Sequence, residues 1–172
     1  MRVKKGYATR RGKIVVEDAA AYVRDLAQRL EARGRLGATR SFIQHGDVSV
    51  YGHVLAVARA SICMARVLSR VGIAVDVHAL VRGALLHDSD SSHRLHGFRH
   101  PFFALDRAEE DFDLTPIERN IIARHMFPLV PIPPACREAW IVCLADKACA
   151  LGETIGGRVG GKCRMRGRGK HA

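Results

Sequence analysis

The chain has 172 residues, 48% of them hydrophobic and 26% charged, with a net charge of +11 at neutral pH; this length suits one domain with a sizeable core and is short for two. No disulfide framework is needed at this length, and the five cysteines, an odd count without a Cys-x-x-Cys pair and mostly in apolar helical stretches, read as small buried hydrophobes in a reducing compartment, so the cytoplasm is the expected location. The positive charge lies at the ends: residues 1–13 and 158–172 hold six Lys/Arg each and no acid, leaving the body between them at a net −1, unlike the structured basic face of a nucleic-acid module.

The opening "MRVKKGYATRRGKIVVEDAA" is basic but has only three consecutive apolar residues, far short of a signal-peptide core. No later segment approaches a membrane span, so a soluble protein without membrane contact is expected. Residues 1–13 read as a basic tail and 14–157 as the folded domain. Residues 17–33 place Val23, Leu26 and Leu30 on one helical stripe that ends at Gly34. A longer helix from about Ser49 to Gly72 aligns Val50, Val54, Val57, Ser61, Met64 and Leu68. Asp76 is placed to cap the next helix, whose Leu80, Val81, Ala84 and Leu85 lead into His87 and Asp88.

Pro101 suits the first turn of a helix holding Phe102, Leu105 and Ala108. In "TPIE", Thr115 is a cap, Pro116 takes the first helical position and Glu118 completes a capping box, opening a helix with Ile117, Ile121 and His125. "MFPLVPIPP" interrupts the chain, and a last helix from about Ala135 to Glu153 carries Ala139, Val142, Cys143, Asp146 and Cys149. The end, residues 158–172, is Gly-rich, basic and without apolar period, so it is expected to be a disordered, solvated tail, with weak nonspecific contact to nucleic acid or anionic lipid through phosphates as the alternative to having no specific partner. The expected fold is all-α, a helical bundle with almost no strand alternation.

On these helices His53 falls among Val50, Val54 and Val57. His87 shares a face with Leu80 and Ala84, Asp88 with Val81 and Leu85, His125 with Ile117 and Ile121, and Asp146 with Val142 and Cys143. A lone inward histidine is more often a hydrogen-bonded core residue than a ligand. Two inward carboxylates beside inward imidazoles are another matter, because buried carboxylates are costly unless paired or bound to a cation. A divalent ion held by two neutral imidazoles, His53 and His87, and two carboxylates, Asp88 and Asp146, gives a site of zero net charge and mixed nitrogen and oxygen donors.

This order, His53, then His87-Asp88, then Asp146, resembles the signature of the HD superfamily of metal-dependent phosphohydrolases. The stretches "QHGDVSVYGHVLAVARAS", "RGALLHD", "RLHGFRHP", "ARHMFPL" and "IVCLADKACALGE" resemble the ordered motifs of small stand-alone bacterial HD-domain proteins over roughly residues 40–153. "HDSDSSHRLHG" departs from that group in being shorter and less aromatic. The resemblance implies a compact HD-type bundle and a second ion bound by His100 and His125, with Asp88 bridging and His96 as the alternate for His100. His93, His45, His78 and His171 are left as non-ligands.

Phosphoester hydrolysis of a small phosphorylated substrate, by a phosphomonoesterase or a phosphodiesterase, is the implied activity, with nucleotides among the candidate substrates. Asp88 is the implied catalytic residue. Lys147, beside Asp146, and Arg99, beside His100, are candidate phosphate clamps, and Arg82 and Arg124 rank after them. The donors suit one or two divalent ions among manganese, iron, cobalt, magnesium, nickel and zinc. The alternatives are a non-enzymatic metal- or nucleotide-binding HD module and, after it, a di-iron oxygenase on the same frame.

Overall fold

The computed structural model describes residues 8–10, 13–15, 18–45, 48–89 and 97–166. Six α-helices among them form an all-α bundle. Helix α1 (Ala19–Glu31) starts where the Asp18 carboxylate accepts from the Ala21 amide and buries Val23, Leu26, Ala27 and Leu30. Helix α2 (Val50–Arg70) is capped by Ser49, and its end is closed by Gly72 at φ +82. The Gly72 amide donates to Ser69 O and the Ile73 amide to Leu68 O, a pairing that satisfies the last carbonyls and favours glycine at the left-handed position.

Helix α3 (Val77–Leu86) is capped by Asp76 and ends on His87. Helix α4 (His100–Asp111) has Pro101 in its first turn. Helix α5 (Pro116–Arg124) opens on the capping box of Thr115 and Glu118 and ends on His125. The fully buried Glu118 also receives the Arg82 guanidinium at 3.2 Å, which compensates an otherwise costly carboxylate. Helix α6 (Arg137–Arg166) lies against α2, α3 and α5. Val54, Val57, Ile62, Leu80, Leu85, Ile121, Ile122 and Val142 make the centre of the core.

Two glycines let elements approach closely. A Cβ on Gly83 would stand 2.6 Å from Ile121 Cδ1, so the Ile121 side chain of α5 lies directly against the α3 backbone at that point. A Cβ on Gly34 would meet the Phe112 ring at 2.5 Å. Following Gly34, a 3₁₀ segment (Arg35–Ser41) buries Leu36 and Thr39. It is pinned by Arg40, which pairs with Glu31 and stacks 3.6 Å over the Tyr51 ring. The Tyr51 hydroxyl donates to the Glu31 carboxylate, and burial together with that partner pushes its pKa up to about 12.

Several details differ from the sequence reading. Part of the stretch read as a basic tail is a hairpin, β1 (Ala8–Arg10) with β2 (Lys13–Val15), and a second short pair joins β3 (Ile43–His45) to β4 (Val48–Ser49). Strands of two or three residues are too short to show alternation. The last helix does not stop at Glu153: the backbone stays helical to Arg166, into the stretch expected to be disordered, while 167–172 lie outside the described residues. Extending an anchored helix costs far less than nucleating one, and each glycine, at about 1 kcal/mol, weakens it without forbidding it.

Helix α2, not singled out as a span from sequence, is long and apolar enough to cross a membrane by length and composition. Its apolar surface is that of a core helix, buried along Val50, Val54, Val57, Ala58, Ile62 and Ala65. Among the cysteines, Cys143 is buried as expected, but Cys63 is exposed on the outer side of α2.

Candidate metal centre

The helix ends gather the ionisable residues. His87 is the C-cap of α3 and His125 the C-cap of α5, both with right-handed helical backbone. At each, ring Nδ1 lies 2.8 Å from the carbonyl three residues back, Ala84 O for His87 and Ile122 O for His125. Carbonyls in the last turn have no intrahelical partner, so each accepts the Nδ1 proton, which leaves the Nε2 lone pair free to bind a cation. Asp88 follows His87 in the turn beyond α3, and His100 is the first residue of α4. His53, His87, Asp88, His100 and His125 are all buried.

His53 sits in the first turns of α2, where no such carbonyl is available, and it takes its partners from α6. Its Nδ1 lies 2.9 Å from Glu153 Oε2 and 3.1 Å from Oε1, and its Nε2 lies 3.0 Å from Asp146 Oδ1. The same Asp146 oxygen is 3.8 Å from His87 Nε2. On the other side of Asp88, Oδ1 meets His100 Nε2 at 2.5 Å. The rings form a chain, with centroids 5.8 Å apart for His53 and His87, 4.8 Å for His87 and His125, and 5.7 Å for His125 and His100.

The electrostatics follow from this crowding. Burial alone would raise the Asp88 pKa, but the His100 contact and the neighbouring His87 and His125 outweigh it and hold the carboxyl well below its usual range. Asp146 is likewise held low, burial being overcome by hydrogen bonds from His53 and His87. Burial opposes charge on His53, yet the Asp146 hydrogen bond and the charges of Asp146 and Glu153 raise its pKa. Among the described residues no carboxylate is bonded to the His125 ring. Burial first, then the charge of His87, pushes it down to about 3.

Two groups of three ligand atoms have all members within 4.8 Å of one another: His53, His87 and Asp88, and then Asp88, His100 and His125. Asp88 belongs to both. Nitrogen and oxygen donors at this spacing, with two imidazoles already fixed by backbone carbonyls, fit a divalent cation in either group.

Of the residues expected from sequence, His53, His87, Asp88, His100, His125 and Asp146 are therefore brought together. Lys147 stands at the rim, its Nζ donating to His125 O at 2.7 Å and lying 3.7 Å from Asp146 Oδ2. Arg99 is exposed at the start of α4, its guanidinium 5.7 Å from the Phe103 ring centroid, and makes no described contact with the cluster. Arg82 is engaged by Glu118 and Asp113 O, and Arg124 donates to Pro133 O.

His78 pairs with the Tyr22 hydroxyl, away from the cluster. His93, His96 and His171 lie outside the described residues, as does the side chain of His45. Glu153 is the functional residue that sequence reasoning missed. The available signal was its position two helical turns after Asp146, on the same face.

No curated protein and no solved structure matches the chain significantly. The model of the HD domain matches residues 50–151, from the first residue of α2 into α6 and over more than half of the chain. With the ordered His53, His87-Asp88 and Asp146 meeting in one buried cluster, the chain belongs to the HD-domain family.

Proposed function

We propose that the protein is a metal-dependent phosphohydrolase acting on a small phosphorylated substrate, a phosphomonoester or a phosphodiester. One observation carries the reading: two buried ligand groups share the single carboxylate Asp88. In this reading His53, His87, Asp88 and Asp146 hold one ion, and Asp88, His100 and His125 a second. When bound, the ions supply Lewis acidity that activates water near neutral pH and neutralises phosphoryl charge.

The chain's own residues do the rest. Asp88 belongs to both ligand groups and would help to hold an ion in either. Backbone carbonyls orient His87 and His125, and the Glu153 carboxylate orients His53. Lys147, partly exposed at the rim, keeps ammonium protons available beyond the one given to His125 O and is placed to bind a phosphoryl oxygen. Arg99, exposed at the start of α4, is the outer candidate for the same task.

Metal analysis of purified wild type and Asp88→Ala, combined with a screen of phosphomonoesters and phosphodiesters, tests the proposal. Wild type is expected to retain at least one tightly bound divalent transition metal and to release phosphate or a phosphomonoester, and the variant to lose both. Equal metal content in the two proteins overturns the site assignment. Hydrolysis that persists after complete metal removal overturns the chemistry.

A further inference from the structure

Helix α6 is apolar on two opposite faces. Its inner face sends Ala139, Val142 and Ala145 into the core beside Asp146 and Glu153. At 3.6 residues per turn, Trp140, Leu144, Ala148, Leu151 and Ile155 fall within one arc about 80° wide on the opposite side. That side faces solvent: Leu144, Leu151 and Ile155 are 51%, 63% and 53% exposed and Trp140 40%. Between Arg137 and Arg158 no charged residue falls inside this arc, which Lys147 only borders. A helix apolar all round is normally covered on all sides.

The spacing identifies the cover. Leu144 and Leu151 occupy d positions and Ala148 and Ile155 a positions of two successive heptads, the pattern that a second helix packs against. The pattern is also complementary to itself. An antiparallel two-fold axis midway between Ala148 and Leu151 sets each Ala148 against Leu151 of the second copy, and each Leu144 against Ile155. The central layers thus match small to large. Lys147 faces Thr154 of the second copy, so the two central layers bring no like charges together, and Arg137 and Lys162 fall opposite each other only at the ends of the seam.

The same face continues into a groove of about 460 Å³ between the end of α2 and the start of α6, lined by Met64, Val67, Leu68 and Ile73 with Trp140, Ile141 and Leu144 and edged by Arg137. The antiparallel arrangement lays the C-terminal turns of the second α6 across that groove. The exposed large side chains of seam and groove present on the order of 500 Å² of apolar surface, the larger part of the roughly 800 Å² that each partner buries in a stable interface.

We propose that this face is the interface of a homodimer in which α6 pairs antiparallel with α6 of a second copy. The inference does not depend on what the His/Asp cluster binds.

Sedimentation velocity on the full chain tests it. Wild type at about 20 µM should sediment at twice the chain mass, and Leu151→Glu, exposed in the monomer and so compatible with folding, should raise the dimer dissociation constant by about 100-fold or more. Leu129→Glu, equally exposed but off the seam, should leave the dimer intact. Adding Ala148→Lys to Leu151→Glu sets opposite charges face to face only in the antiparallel arrangement and should recover about tenfold or more of the lost affinity. A wild type that stays monomeric, a Leu151→Glu protein that stays dimeric, or a Leu129→Glu protein disrupted to the same degree overturns the interface. A double variant no better than Leu151→Glu overturns the antiparallel pairing.

Discussion

Replacing Glu153 with alanine removes the carboxylate that lies 2.9 Å from His53 Nδ1, on a ring that is fully buried. Two costs follow. Removing a hydrogen-bond partner from a buried ring N–H lowers stability by about 1–3 kcal/mol in the metal-free protein. The ring also loses the group that directs its Nε2 toward the cluster. Loss of such an outer partner typically weakens metal affinity about 10- to 100-fold, or roughly 1.4–2.8 kcal/mol.

Glu153→Gln keeps an acceptor oxygen but not the charge, so it should retain the ring's orientation and lose about tenfold at most. The expected order of affinity is wild type, then Glu153→Gln, then Glu153→Ala. Competition for manganese against a chromophoric chelator measures the affinity, and urea unfolding of metal-free protein measures the stability. A folded Glu153→Ala protein that binds manganese within about twofold of wild type refutes the positioning argument. If wild type itself binds no metal, the proposed function fails instead.

Gly83→Ala should lower the melting temperature even though alanine favours a helix by about 1 kcal/mol, because its Cβ lies 2.6 Å from the buried Ile121 and overpacking costs about 1–3 kcal/mol. A raised melting temperature would show that α3 and α5 can part freely. Lys147→Ala should raise KM about tenfold or more with kcat less affected and metal content unchanged, and an unchanged KM removes Lys147 as a phosphate clamp. In metal-free protein, His125, pushed down to about 3, binds a proton when unfolded but not when folded below about pH 6.5. Stability should therefore fall with pH from there by up to about 1.4 kcal/mol per unit. The raised His53 acts only above that window and the depressed Asp88 and Asp146 only below about pH 4. His125→Leu should flatten the slope between pH 6.5 and 5 in urea titrations, and an unchanged slope assigns the protons elsewhere.

How far the sequence could be read depended on the physical signal each feature leaves. His53 and Asp146 interrupt apolar stripes in long regular helices, so their inward direction follows from a 3.6-residue period. The capping box at Thr115 and the caps at Asp76 and Ser49 left equally local signatures. His87 and Asp88 were legible both as inward and as the place where the apolar helical run stops, and α3 ends there, with His87 as its cap. Glu153 looked like a polar helix end because its partner is one hundred positions away on α2. Arg99 was placed by its neighbour in sequence, yet adjacent residues at a helix start diverge, and it emerges on the exposed side over Phe103.

The place of each histidine on its helix decides what supports it. His87 and His125 end their helices, where carbonyls have no intrahelical partner, so the backbone orients both rings without any side chain. The chain can therefore lose any exposed residue near them and keep both lone pairs aimed. His53 lies near the start of α2, where carbonyls point along the helix into bonds with later amides. Its ring has to be held by a carboxylate from elsewhere, and α6 supplies one on the same face as Asp146. The two halves of the cluster thus differ in what they depend on: one on the lengths of α3 and α5, the other on the seating of α6 against α2. A substitution that shifts α6 should weaken the His53 side first, because both carboxylates on the His53 ring come from α6.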